Sequence, residues 1–387
     1  MLSSYFDKIT EPFLVQSYLI LCLMSFVLSL VIIFFARYFF NERFEQDAKA
    51  IQSAHKGFVP RIGGFAIYLS VLGFSLSLNI DGIQFSFLPN LYTGNMYILI
   101  LSAMPIFLIG LAEDLGFYMR PNIRLLGAII SSSIFIYMFE MWITSVGIPG
   151  LDKVLSIAPL GIAFTLFATT GVVNAFNIVD GLNGLAGYLT LSSVIALSIL
   201  AFLNNNPEIL RFLFLIAASV VGFLVLNFPF GKIFLGDAGA YTLGYLLVGS
   251  SIVLVNFYAE ISPFAVLLIF FWPVADTLLS IWRRLKLNKR ADHPDRLHFH
   301  QLVMRILEIR YFGRDKRHIV NPVSTLVLIP LISTPQVLGV MFWDDLALTV
   351  WCSVGMSILF FITYLFMVKM AKRSRRSDSQ KYFYTGK

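Results

Sequence analysis

The sequence predicts an all-α, polytopic membrane protein of about eleven transmembrane helices, and three observations carry that prediction. Of 387 residues, 58% are hydrophobic and only 13% charged, with a mean hydropathy of +0.79, well outside soluble composition. Apolar runs near the roughly 20 residues that a helix needs to span the hydrocarbon recur along the chain. Lys and Arg gather almost entirely in alternate loops.

Taken in order, the first run covers about residues 14–37. It follows Asp7, Lys8 and Glu11 and ends without a small-residue cleavage site, so it reads as a retained helix rather than a signal peptide. The others lie at about 62–80, 95–112, 122–143, 156–173, 185–203, 209–228, 240–257, 263–282, 322–340 and 345–368. Each is expected to be helical because lipid offers no partner to an open backbone polar group. Pro159 and Gly161 flank the fifth run, and the eighth is rich in glycine.

If the loops alternate, all but Lys8, Lys153 and Arg211 of the 29 basic residues fall on one side. Positive residues stay cytoplasmic, so the carboxyl terminus is expected inside, the amino terminus in the periplasm, and the helix number odd. Residues 1–370 read as a single integral-membrane domain and 371–387 as a basic, solvated, partly disordered cytoplasmic tail. The net charge of +7 is then topology plus attraction to anionic headgroups, with no nucleic acid implied. Cys22 and Cys352 both lie in apolar runs, which excludes a disulfide framework or a zinc cluster.

The same parity sends AHKGFVPRIGG, AEDLGFYMRPNIR, NAFNIVDGLNG, FPFGKIFLGDAG and ADHPDRLHFHQL to the cytoplasmic face. In the third of these, Asn174, Asn177 and Asp180 recur every three residues, near one face of a helix that continues to Asp180. Such a density of amide and carboxylate oxygen suits a hard cation and a nucleotide. A plain turn accounts for Asp180 to Gly184, though not for Asn174 and Asn177. Asp237 stands at the mouth of a small-residue helix, where a capping role is the simpler alternative. Glu113 and Asp114 end the third run beside Arg120 and Arg124: paired carboxylates for proton or metal work and arginines for phosphate, or else a charge cluster at the membrane border. His293, Asp295, Arg296, His298 and His300 lie in a long basic loop. Cationic donors beside imidazoles suit a phosphate clamp, against the alternative of a solvated basic loop. Asp276, inside the ninth run, is expected to pair with an arginine at the cytoplasmic boundary or to support the site from behind. Carboxylates and amides for a divalent cation, with bases for phosphate, point to phosphoryl or nucleotidyl-sugar transfer onto a lipid. No GxxxxGK[ST] motif is present.

In HKGFVPRIGG, AEDL, NAFNIVDGLNGLAG, FLGDAG and PDRLHFHQ, spread over about residues 50–305, the chain resembles the polyprenyl-phosphate N-acetylhexosamine-1-phosphate transferases, often called the MraY/WecA family. The resemblance implies that a UDP-N-acetylhexosamine and undecaprenyl phosphate react to give the lipid diphosphate sugar and UMP. It also implies Mg2+, with Mn2+ as an alternative, held by Asp237 and Asn177. Asp180 would lie near the nucleotide, and Asp114 would position or deprotonate the lipid phosphate. Arg296, His298 and His300 would contact the diphosphate or sugar, with Asn174 in the same substrate-binding segment, and Lys56 and Arg124 would help with phosphates. A homodimer is suggested by the same analogy. Two positions depart from the family pattern. Glu113 stands where an aspartate is usual, so it is expected among the catalytic acids but outside the metal's own ligands. Gln301 ends the histidine run. The PDRLHFH form is nearer the branch that starts O-antigen, enterobacterial common antigen or teichoic acid linkage. GlcNAc is the expected sugar, with GalNAc, FucNAc and QuiNAc as alternatives. A secondary transporter or flippase is the rival reading, set against the absence of an internal repeat and the gathering of carboxylates on one face.

Overall fold

The computed structural model describes residues 23–35, 59–77, 95–286 and 297–385, and these are helical almost throughout. Two shorter apolar helices come first: α1 (Leu23–Phe35) and α2 (Gly63–Ser77). They are followed by α3 (Met96–Ser102), α4 (Met104–Asp114), α5 (Pro121–Phe139), α6 (Pro149–Leu155), α7 (Ala158–Val179), α8 (Leu185–Leu203), α9 (Pro207–Asn227) and α10 (Gly236–Phe257). The remainder are α11 (Pro263–Ile269), α12 (Phe271–Lys286), α13 (Phe299–Leu307), α14 (Arg317–Met341) and α15 (Leu346–Thr385). Among the described residues seven helices are long and apolar enough to cross a membrane, or up to nine if the bent pairs α3–α4 and α11–α12 each make one span. The protein is thus a polytopic helical membrane protein.

Helix starts follow local chemistry. Pro121, Pro149, Pro159, Pro207 and Pro263 sit in first turns, where the missing N–H is no loss and φ is already helical. Asn206 also caps α9, its side chain accepting from the Ile209 amide at 3.0 Å.

The centre of the molecule is the glycine-rich eighth run. Every residue of α10 from Ala238 to Leu254 is buried, enclosed by α2, α4, α7 and α8. Glycine, alanine and serine let those neighbours approach closely, which is how helices gain contact where lipid gives no hydrophobic drive. The face of α5 bearing Ile130, Tyr137 and Met138 and much of α15, including Trp351 and Ile362, remain exposed and apolar, as lipid-facing surfaces should be.

Two runs that read as continuous spans are broken. α3 and α4 meet at 45°, and α11 and α12 at 79°. Both breaks carry a proline, Pro105 and Pro273, that cannot donate to the carbonyl four residues back. At the second break that carbonyl is Ile269, and the buried Gln336 of α14 donates to it through Nε2 at 3.2 Å. At the first, the Ile106 amide reaches Ser131 Oγ at 3.2 Å, and Tyr245 Oη donates to the Ser131 carbonyl at 2.8 Å. Backbone groups freed inside the membrane are thereby satisfied from neighbouring helices.

The expectation of a partly disordered tail is corrected: α15 continues as helix through Thr385. Residues 369–385 contain neither Pro nor Gly and include three lysines and three arginines, which are good helix formers.

Candidate active site

Five loop segments converge on one end of the bundle. Phe234 N donates to Pro60 O at 2.9 Å and Gly64 N to Leu235 O at 2.8 Å, which joins the start of α2 to the start of α10. α4 closes against the same point, because Gly110 has no side chain to keep it off the Ala238 backbone. One turn further on, Asp114 straddles the amino terminus of α10. Its Oδ1 accepts from Asp237 N at 2.8 Å and its Oδ2 from Ala238 N at 2.9 Å. Those amides are unpaired in any helix and carry the positive end of its dipole, so they hold a carboxylate well. Gly236 is required here: its φ is +78, and a Cβ would lie 2.4 Å from Asp114 Oδ2.

Held in this way, the half-buried Asp237 faces three further groups. Asn177, in the last turn of α7, donates from Nδ2 to Asp237 Oδ1 at 2.5 Å. Glu113 lies within hydrogen-bonding reach of Asp237, a meeting of two acceptors that needs a proton or a cation between them. Its other interaction is an ion pair between Oε1 and Arg124. Arg124 in turn donates to Met119 O at 3.2 Å and bonds the Tyr241 hydroxyl. Glu113, Met119 and Tyr241 thus hold the guanidinium in place, while its buried Nε has no partner among the described residues. Asp180 ends α7; burial, and after it the charge of Asp237, push its carboxyl up to about 7, with Arg61 pulling the other way. Asn174, by contrast, turns back along its own helix to Thr170 O at 2.8 Å.

The turn after α7 is locked by residues that sequence reasoning passed over. Asn321 Oδ1 accepts from Asn183 N at 2.7 Å, Asn227 Oδ1 from Gly184 N at 2.6 Å, and Thr325 Oγ1 donates to Asn183 O at 2.8 Å. Against this turn lies the H-x-H segment. A Cβ on Gly181 would be 2.6 Å from His300 Nε2, so imidazole and glycine are in mutual contact. His300 is buried, both ring nitrogens lack a hydrogen-bond partner, and burial drives it down to about 4. It is neutral at pH 7, an imidazole that can hydrogen-bond a substrate oxygen while any positive charge of the expected clamp comes from its basic neighbours. His298 Nδ1 lies 3.1 Å from Asp276 Oδ2, and Phe299 N donates to Asp276 Oδ1 at 3.1 Å. The partners of Asp276 are thus an imidazole and an amide rather than an arginine, which leaves the second of its two expected roles, support of the site from behind. Lys56, His293, Asp295 and Arg296 lie outside the described residues.

Arg61 is a further group missed by name, although HKGFVPRIGG contains it. It is exposed, and its charge reaches Glu113, Asp114 and Asp180. Tyr241 is the second, one helical turn after Asp237; nothing in its spacing separates it from an ordinary core tyrosine. For a metal, no three His, Cys, Asp or Glu side chains among the described residues converge tightly enough to enclose an ion. The donor set fits a cation that takes one or two carboxylates and completes its shell with water and substrate phosphates, as Mg2+ does.

Residues 96–255 match the model of the glycosyl transferase family 4. The chain is 29% identical to the decaprenyl-phosphate N-acetylglucosaminephosphotransferase of Mycobacterium leprae (strain TN) over 64% of its own length and 67% of that relative's. It is 27% identical to the undecaprenyl-phosphate alpha-N-acetylglucosaminyl 1-phosphate transferase of Escherichia coli (strain K12), over 72% and 74%. The matched stretch contains Glu113, Asp114, Asn177, Asp180 and Asp237, so over the segment that builds its acid cluster the chain is similar to glycosyl transferase family 4, and its relatives are polyprenyl-phosphate N-acetylglucosamine phosphotransferases.

Proposed function

We propose that the protein transfers an N-acetylhexosamine 1-phosphate, GlcNAc being the favoured sugar, from its UDP ester to undecaprenyl phosphate, giving undecaprenyl diphosphate sugar and UMP. The lipid-linked product would initiate a cell-surface polysaccharide. One observation carries the reading: Asp237 stands at the head of an enclosed helix, fixed from below by Asp114 and flanked by Asn177, Asp180 and Glu113. Such an arrangement gathers negative charge where a magnesium diphosphate would add the positive counterpart.

Asp237 and Asn177 would hold Mg2+, which when bound offsets charge on the diphosphate oxygens and orients them. Asn177 would hold the ion through its amide oxygen, with the side-chain amide turned over from its pairing with Asp237. Asp114 keeps Asp237 in place, and contact with the lipid phosphate falls to the exposed Arg61 together with Lys56. A phosphate monoester is already largely ionised near pH 7, so the nucleophile asks little of a base. His298 and His300 would meet the diphosphate or sugar, with Arg296. Positioning and electrostatic stabilisation supply most of the rate in such transfers.

The placement we adopt is eleven spans in the bacterial inner membrane, with the acid cluster on the cytoplasmic face where UDP-sugars are made; the bias of basic residues supports it. Association into a homodimer is part of the same proposal. The test uses purified protein in detergent with undecaprenyl phosphate, Mg2+ and UDP-GlcNAc, UDP-GalNAc, UDP-FucNAc or UDP-QuiNAc in turn. UMP release that needs both lipid and Mg2+ establishes the reaction, and the fastest donor names the sugar. UMP from none of the four refutes it.

A further inference from the structure

Asp276 is a carboxylate that the transfer chemistry above does not use. It is 1% exposed and lies on α12, three residues beyond Pro273, where the chain has just turned through 79°. A charge buried at that depth is costly without partners, and those it has all belong to the H-x-H segment. Oδ1 accepts from the Phe299 amide, the first of α13, and Oδ2 lies 3.1 Å from His298 Nδ1 and 3.9 Å from His300 Nδ1. Phe299 is pinned on the opposite side against Trp272, at 4.7 Å between ring centroids, and Phe360, at 5.3 Å. The two imidazoles consequently stand parallel, 5.8 Å apart and 13° from coplanar, with His300 against Gly181 beside Asp180.

Resting on the transferase reading of this site, we propose that Asp276 is a positioning residue for the reaction: it fixes the ring of His298 through Nδ1–H and leaves Nε2 as the nitrogen presented to the sugar diphosphate. The chemistry is one-directional. An ionised carboxylate only accepts, so the nitrogen 3.1 Å from it carries the proton, and Nε2 is the position left open. No described residue bonds His298 Nε2. The same carboxylate caps α13, so ring orientation and helix start are set by one group. The bend at Pro273, held by Gln336, is what aims Asp276 at the segment.

Asp276→Asn separates these duties. The amide oxygen still accepts from Phe299 N, while its NH2 faces Nδ1 and drives the histidine proton to Nε2. UMP release should fall about 10- to 100-fold in kcat, with the KM for the UDP-sugar little changed. In a His298→Asn background the same substitution should cost less than about twofold more, since the two act as one unit. In protein labelled with 15N at its five histidines, the signal lost in His298→Asn should show Nδ1 protonated, and in Asp276→Asn it should change to Nε2 protonated. Losses that multiply in the double variant, or a His298 signal protonated at Nε2 in the unsubstituted protein, overturn the proposal. The second reading needs no Asp276 variant to fold. Should the unsubstituted protein release no UMP while its His298 carries the Nδ1 proton, the reaction assignment fails and the Asp276 pairing stands.

Discussion

At the scale of single residues, the site depends on Asp237 being held rather than merely present. Asp237→Asn removes the charge that a divalent cation needs while keeping the side chain's size. UMP release should drop by about 10³-fold or more, and rising Mg2+ should not restore it; near-normal turnover would take Asp237 out of the metal site. Gly236→Ala tests the support beneath it. A Cβ there meets the Asp114 carboxylate at 2.4 Å on backbone at φ +78, so activity should fall nearly as far although no chemical group is lost. Asp180 predicts a pH effect whose sign is fixed by the direction of its shift. Its carboxyl is raised from the ordinary value near 3.8 to about 7, so the neutral form is the one the folded state favours. Without a divalent cation its contribution to stability is full below about pH 4 and is lost as pH climbs through 7. The thermal midpoint of the metal-free protein should accordingly fall across that window, Mg2+ should oppose the fall at its upper end, and Asp180→Asn should flatten it. A midpoint that rises with pH from 4 to 7 in metal-free protein, and does so equally in Asp180→Asn, sinks the idea.

At the scale of elements, the breaks decide where residues point. Gln336 is buried between α8, α11 and α14, donating to Ser193 Oγ at 3.1 Å as well as to Ile269 O. Gln336→Leu preserves bulk but strands the Ile269 carbonyl, at a cost of about 1–3 kcal/mol. It should lower the thermal midpoint in detergent and reduce turnover, since α12 carries Asp276. Turnover unchanged alongside a lowered midpoint would show that the bend is held by packing alone. These breaks also mark the limit of what could be read from the sequence. Among the described residues each apolar stretch meets a helix or a bent pair, seven to nine of them long enough to span, because hydrophobic length is a property of the chain itself. Pro105 and Pro273 are in plain view, yet α14 runs through Pro322, Pro330 and Pro335 unbroken, so a proline alone states neither that a helix breaks nor at what angle; partners distant in sequence such as Gln336 enter that decision. The acid motifs were legible for a similar reason, their residue types being too polar for their surroundings. The service of Asp114 as the anchor of α10, and the pairing of Asp276 with His298, were not legible, for both are contacts between residues with no local relation. Nor does sequence reveal that Arg124, expected as a phosphate ligand, is also held by Glu113 and Tyr241.

At the scale of the whole molecule, one end concentrates function and the rest is support. α10 runs through the middle with Asp237 at its head, so each helix around it that bears a motif delivers that motif to the same end: α2 through Arg61, α4 through Glu113 and Asp114, α7 through Asn177 and Asp180. The sidedness of the protein therefore reduces to which face of the membrane receives that end. In the placement proposed above, the bias of the basic loops and a cytoplasmic UDP-sugar donor would both put the head of α10 on the cytoplasmic face. This gives an orientation test that does not depend on catalysis. With Cys22 and Cys352 replaced by serine, a single cysteine in place of Asn205, on the short loop between α8 and α9, should react with a membrane-impermeant maleimide added to intact cells. A cysteine in place of Lys232, between α9 and α10, should react only after the membrane is opened. The two sites are separated by the single span α9, so they must lie on opposite sides, and the pair carries its own control. Labelling of Lys232→Cys in intact cells, with Asn205→Cys protected, would turn the protein over and put the acid cluster on the face that no UDP-sugar reaches.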